Sequence, residues 1–172
     1  MIRRIGISVL MTLLSVACGR HGSPPAATPT SSASQVASSA AQPANSVGAI
    51  PDPCTLLSDA EVTGLTGRTI TQIDRDGADA NATTRYCQWQ QSSGQLAVFI
   101  TRMTAGDFAT AQAGTPPISG IGDGAYARDG HLYVLVGTSQ VDVYARGGDD
   151  QQSEADAEKV ASALVPKVRT FS

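Results

Sequence analysis

A chain of 172 residues has room for one ordinary domain and a short accessory segment. Its net charge of −3 excludes nucleic acid as a partner, because phosphate binding needs a basic face. Its three cysteines exclude a dense disulfide scaffold and leave at most one intrachain bridge.

In chain order, Arg3 and Arg4 precede an apolar run from Ile5 to Leu14, broken only by Gly6, Ser8 and Thr12. Small residues follow, Ser15 and Ala17 among them. This is the layout of a secretory signal over residues 1–17, too short to span a bilayer as a stable helix. Cys18, directly after Val16-Ala17, resembles the end of a bacterial lipobox, where the thiol takes a diacylglycerol and the peptide is cut before it. One departure is Ser15, three residues before the cysteine, where leucine is commoner. The plain alternative is an ordinary secretory signal with an incidental cysteine. Lipidation at Cys18 predicts an exported protein on the outer side of the cell membrane, or on a periplasmic or outer-membrane surface in a diderm cell. Loss of Arg3 and Arg4 with the signal leaves ten basic residues against fifteen acidic ones, a net charge of −5. No polybasic attachment to lipid headgroups is available. The bilayer is therefore a partner through acylated Cys18 alone, and two or more acyl chains suffice for stable anchoring.

Residues 18–50 are almost entirely Ser, Ala, Pro, Thr, Gly and Gln. Such a segment cannot bury enough apolar surface to offset its ordering entropy, so a disordered tether is expected, with a coil reach of roughly 30 Å. Composition changes at Pro51, and residues 51–172 have the size of one globular domain.

Ser58 and Glu61 have capping-box spacing, with Leu57 and Val62 at hydrophobic-staple positions and Gly67 as a C-terminal stop. They predict a helix over 59–66. A strand is expected over 69–73, then a polar loop over 74–84. Residues 85–91 alternate, Cys87 and Trp89 facing one way and Tyr86, Gln88 and Gln90 the other. Ser92-Ser93-Gly94 turns the chain into a second strand over 95–103, which carries Leu96, Val98 and Ile100 on one face. Thr104 caps a weaker helix to Gln112, anchored by Phe108. After a loop with Pro116-Pro117, three strands are expected over 125–128, 131–137 and 140–146, the first two joined by the hairpin signal Asp129-Gly130. Val141, Val143 and Ala145 alternate with Asp142, Tyr144 and Arg146, so one sheet face is buried and one is wet. The last helix is expected over 153–165, with an apolar stripe of Ala157, Val160, Ala161 and Leu164 behind an acidic start. The order predicts an α+β class: a two-layer domain, an antiparallel sheet with helices packed on one face. Two helix-then-strands segments suggest a repeat that no residue-level similarity supports.

Cys54 and Cys87 are expected to form a disulfide. One cysteine is spent on lipid, which leaves an even pair in an exported domain, where oxidation is permitted. Asp52-Pro53-Cys54-Thr55-Leu56-Leu57-Ser58-Asp59-Ala60-Glu61-Val62, Tyr86-Cys87-Gln88-Trp89 and Gly120-Ile121-Gly122-Asp123-Gly124-Ala125-Tyr126 together resemble the bacterial lipoproteins grouped as domain of unknown function 3558. The resemblance implies an exported, lipidated α+β domain and supplies no catalytic residues.

The search for chemistry finds no paired groups. His131 is the domain's only histidine, at a hairpin shoulder. No Gly-x-Ser-x-Gly elbow is present. Gly120-Ile121-Gly122-Asp123-Gly124 precedes a strand rather than opening a helix, so it cannot cradle a dinucleotide phosphate. Residues 74–79 resemble part of a calcium loop without its closing glutamate. No catalytic residue, cofactor or metal site is therefore assigned. Two function classes survive: a noncatalytic envelope module that binds an unidentified envelope protein or small ligand, and a small envelope enzyme using carboxylates such as Asp123 and Asp129, or His131. A smooth sheet face or apolar groove favours the first, and His131 against a carboxylate favours the second.

Overall fold

The computed structural model describes residues 49–76 and 82–171. The expected signal, Cys18 and nearly all of the tether lie outside the described residues, as does the middle of the polar loop at 77–81.

The chain enters through a short helix that the sequence reading had missed, α1 (Pro53–Leu56). Asp52 caps it by accepting from the Cys54 amide, and Pro53 suits a first helical position because its missing N–H has no helical partner there. Next comes α2 (Asp59–Thr66), where both halves of the Ser58–Glu61 capping box form. Leu57 and Val62 close the staple in the core, and Gly67 ends the helix at φ 69°, in the left-handed region. Strands β1 (Ile70–Arg75), β2 (Thr84–Gln91) and β3 (Gln95–Arg102) form a meander. Helix α3 (Ala105–Gln112), capped by Thr104, leads into a second meander of β4 (Gly124–Arg128), β5 (His131–Val136) and β6 (Ser139–Arg146). Asp129 and Gly130 both take positive φ in the β4–β5 turn. Helix α4 (Asp150–Arg169) ends the fold.

The six strands form one sheet in the order β1-β2-β3-β6-β5-β4, with every neighbouring pair antiparallel. The central pairing of β3 with β6 joins the two meanders back to back. The strands thus follow the two-fold pattern of a repeat, but the helices do not. Val62 of α2 lies in the main core, whereas Phe108 of α3 packs with Tyr126 and Leu135, whose side chains leave the opposite face of the sheet.

Helices α1, α2 and α4 belong to one layer. Against it the sheet presents Cys87, Trp89, Leu96, Val98, Ile100, Leu132, Val134, Val141 and Val143, all buried, as the period of two requires. Ile50 also joins this core, so the folded part reaches back one residue beyond the composition change at Pro51. Cys54 and Cys87 are bonded, with Cα atoms 5.2 Å apart, and the bond pins α1 to β2.

Two segments run beyond their expected bounds. Strand β1 extends to Arg75, into the region read as loop, because its last residues pair with Gln88 and Cys87 of β2. Helix α4 begins at Asp150 rather than Ser153 and passes through Pro166. Its first turns carry no apolar stripe and are held by the Asp149 cap on the Gln152 amide. Its last turn survives the proline because Val168 is buried and Lys167 reaches the Leu56 carbonyl and Glu61, both at 2.7 Å.

Asp156, 1% exposed, sits inside this layer. It accepts from Arg68 at 2.9 Å, Gln152 at 2.7 Å and Lys159 at 3.1 Å. Arg68 also donates to Gln91, which donates to Thr66. The network ties the end of α2 to β2 and α4, and every buried side-chain polar atom among the described residues has a partner.

Candidate functional site: the outer face of the sheet

Strand alternation sends Tyr86, Gln88 and Gln90 of β2 and Ala97 and Phe99 of β3 away from the helix layer. The same holds for Tyr126 of β4, His131 and Tyr133 of β5, and Asp142 and Tyr144 of β6. Register then sorts them into rows. One runs Tyr86, Phe99, Asp142, Tyr133, Tyr126 across five strands. The next runs Gln88, Ala97, Tyr144, His131, Arg128. All four tyrosines of the chain stand on this face, and Trp89 is the one aromatic ring in the main core.

The rings touch. Tyr86 and Phe99 lie 5.8 Å apart between centroids, tilted by 33°. On the other side of Asp142, Phe108 meets Tyr126 at 5.2 Å, Tyr126 stacks on Tyr133 at 4.9 Å, and His131 lies 5.8 Å from Tyr133 and 4.7 Å from Tyr144. The Arg146 guanidinium covers Tyr144, and that of Arg128 covers Tyr126. Between the two ring groups lie Ala97, 2% exposed, and Asp142. Tyr86, Phe99, Tyr133 and Tyr144 are half-buried.

His131 Nδ1 lies 2.8 Å from Asp142 Oδ1. Burial pushes the Asp142 carboxyl above its ordinary value, against the opposing pull of His131. Burial also raises the phenols of Tyr133 and Tyr126, which stay protonated at neutral pH and keep their O–H donors.

Asp123, Asp129 and His131 do not converge. Arg128 pairs with His131 at one end of the β4–β5 hairpin, and Gly124 with Leu135 at the other. Asp123 therefore lies far along the sheet from His131. It accepts from the Gly137 amide at 2.7 Å and from Arg169 at 2.9 Å, and these contacts lower its pKa. It is a latch between the loop before β4, the β5–β6 turn and the end of α4. Asp129 and His131 do border one cleft of about 430 Å³, between the β4–β5 turn and the first turns of α4. Asp129 makes no ion pair there among the described residues, and no group of three acidic, histidine or cysteine side chains able to hold a metal occurs among them. In the calcium-like stretch, Asp76 is taken by Arg85 at 2.7 Å, which holds its carboxyl below the usual range.

The alternation had placed Tyr86 and Tyr144 on the outward face. It missed the Asp142–His131 pair, which depends on the register of the β5–β6 hairpin, and the place of Phe99 beside Asp142, which depends on pairing between β3 and β6, strands distant in sequence.

Comparison with known proteins gives one match. A family model described as a protein of unknown function, DUF3558, fits residues 13–167. No curated protein and no solved structure matches the chain. The matched span covers both meanders, the disulfide and all but the end of α4: the chain belongs to the DUF3558 family.

Proposed function

We propose that this protein is a cell-envelope lipoprotein, held to the outer side of a membrane through acylated Cys18, whose domain binds an envelope protein or small ligand without catalysis. The observation that carries the binding role is the outer sheet face. The half-buried rings of Tyr86, Phe99, Tyr133 and Tyr144 stand on it in two groups, one on either side of Asp142, among polar side chains. Aromatic side chains with a polar tip are enriched at interaction surfaces. Export and anchoring are supported by the signal layout and by Cys18 at its end. Among the described residues no helix is long and apolar enough to cross a membrane, and the acyl chains would supply the attachment.

One observation favours the enzyme reading: His131 does stand against a carboxylate. An orienting Asp–His pair still needs a nucleophile or a second acid. The rings beside His131 belong to Tyr133 and Tyr144, and the Tyr133 phenol is pushed up, away from nucleophilic use. The pair is better used to hold the imidazole in the plane of the ring cluster.

Fractionation of a Cys18→Ala variant tests the anchor. The protein should remain uncut or leave the membrane fraction, and mature protein still in membranes would refute lipidation. Pull-down from solubilised envelope tests the binding role. Wild type should retain a component that Phe99→Ala and Tyr144→Ala lose, whereas identical recovery by both variants would refute the face.

A further inference from the structure

We infer that the cleft between the β4–β5 turn and the start of α4 binds a short peptide with both ends free, two or three residues long. Asp129, Asp150 and Glu154 hold its ammonium and Arg146 holds its carboxylate. The cleft borders the outer face at its rim, and the inference does not rest on the reading of that face as a partner surface.

Register makes the cleft. The first residue of β5, His131, pairs with Tyr144, whereas β6 runs on to Arg146, which pairs with Gln95 of β3. The β4–β5 hairpin therefore stops short and leaves a notch at the end of the sheet, with α4 starting beside it. The space is about 430 Å³, within the range of small-molecule sites of roughly 300–1,000 Å³. Buried Leu132, Ala145 and Ala157 line it, so its apolar part suits small side chains.

Unpaired charge selects the ligand. Asp150, Ser153, Glu154 and Ala157 recur at the spacing of one helix face, and all four line the cleft. Asp129 faces it from the turn. Among the described residues these three carboxylates have no hydrogen bond or ion pair, while Asp142 and Asp156 close by in the fold are both taken. Placement at a helix start accounts for Asp150 alone, because that effect fades beyond the first turn. Asp150 and Glu154 also form a like-charge pair four residues apart, which opposes the helix unless a cation joins them. The cation must come from the ligand. Of the two arginines in the lining, Arg128 donates to Thr115 and the Ala111 carbonyl. The Arg146 guanidinium lies over Tyr144, 5.5 Å from the ring centroid, and no hydrogen bond takes its donors among the described residues. Such a guanidinium is suited to a carboxylate. Free charges of both signs in one cleft are complementary to a ligand that carries both. Its length follows from their placement. Arg146 is on the outer side of the sheet, α4 is on the other, and no ion pair joins Arg146 to the acids. A single amino acid carries its two charges within one residue, and each added residue lengthens an extended chain by about 3.5 Å.

The test uses the full chain with Cys18→Ser, exported, purified without detergent and labelled for amide NMR. It is titrated with trialanine, N-acetyl-trialanine, trialanine amide and free alanine. Trialanine should give saturable shifts at Gly130, Gly148 and Ser153, with Kd at or below roughly 1 mM. Capping either end should weaken binding about tenfold, and free alanine should bind at least as weakly as the capped peptides. Glu154→Gln should weaken trialanine and leave the weak N-acetyl-trialanine binding unchanged. Arg146→Gln should weaken trialanine and leave trialanine amide unchanged. Glu158→Gln, on α4 but outside the cleft, should have no effect. Absence of saturable trialanine shifts up to roughly 10 mM would overturn the inference. So would shifts away from the cleft, capped peptides binding as tightly as trialanine, or free alanine matching it.

Discussion

Removing the Cys54–Cys87 bond tests how the helix layer is held to the sheet. The bond closes a loop with a sequence separation of 33. Chain entropy values such a closure at about 3.7 kcal/mol, as a constraint lifted from the unfolded state. The unfolding entropy of a domain with roughly 120 described residues is about 0.25 kcal/mol/K, so losing the full amount lowers Tm by about 15 °C. Residual structure in the reduced unfolded chain trims this, and a fall of about 10–15 °C is expected. Alanine is the right replacement, because Cys87 is fully buried and serine would strand a hydroxyl there. Thermal unfolding followed by circular dichroism should give the same Tm for Cys54→Ala, Cys87→Ala and the double variant, because each loses one and the same bond. Single variants within ~2 °C of wild type would refute the account, as would a double variant far below both singles.

Glu61 should report on acid stability. Lys167, then the Ser58 amide and hydroxyl, pull its pKa from 4.5 down to about 2. The folded pKa lies below the unfolded one, so ionised Glu61 stabilises the fold at neutral pH, and that contribution is lost as pH falls from about 4.5 through about 2. Glu61→Gln should therefore melt below wild type at pH 7 and converge with it near pH 2; a gap that persists unchanged at pH 2 would contradict this. Arg68→Met should cost about 3 kcal/mol in urea unfolding, because it strips the main counter-ion from the buried Asp156 carboxylate. A second change, Asp156→Leu, should recover much of that loss, and a cost below about 1 kcal/mol for Arg68→Met alone would show that Gln152 and Lys159 suffice.

Local signals in the sequence carried the framework. Ser58, Glu61 and Gly67 bounded α2 because caps act within one turn, and the alternation through Cys87 and Trp89 identified the core-facing side of β2. The cysteine pairing was legible from the expectation of export, from counting, and from the position of Cys87 beside Trp89 and of Cys54 just before the capped helix. Legibility failed where partners are far apart in sequence. Asp156 read as one more acid in a solvated helix start, yet its counter-ion is Arg68, 88 residues away. The run of α4 through Pro166 depends on Lys167 reaching α1 and α2, which no local propensity contains. The outer sheet face is the largest such case. Alternation sent Tyr86 and Tyr144 outward, on a face read as wet, and gave Tyr126 and Tyr133 no side. Only the antiparallel junction of β3 with β6 brings Phe99 beside Asp142 and sets the two ring groups on one sheet face.

The central claim is that this surface is where the protein meets its ligand. Photocrosslinking in the host cell addresses it most directly, with a photoreactive residue replacing Gln90 on the outer face or Thr63 on α2 of the full chain. The account predicts a discrete adduct from position 90 that Tyr144→Ala diminishes, and none from position 63. Adducts from position 63 alone, or equally from both positions and indifferent to Tyr144→Ala, would contradict it.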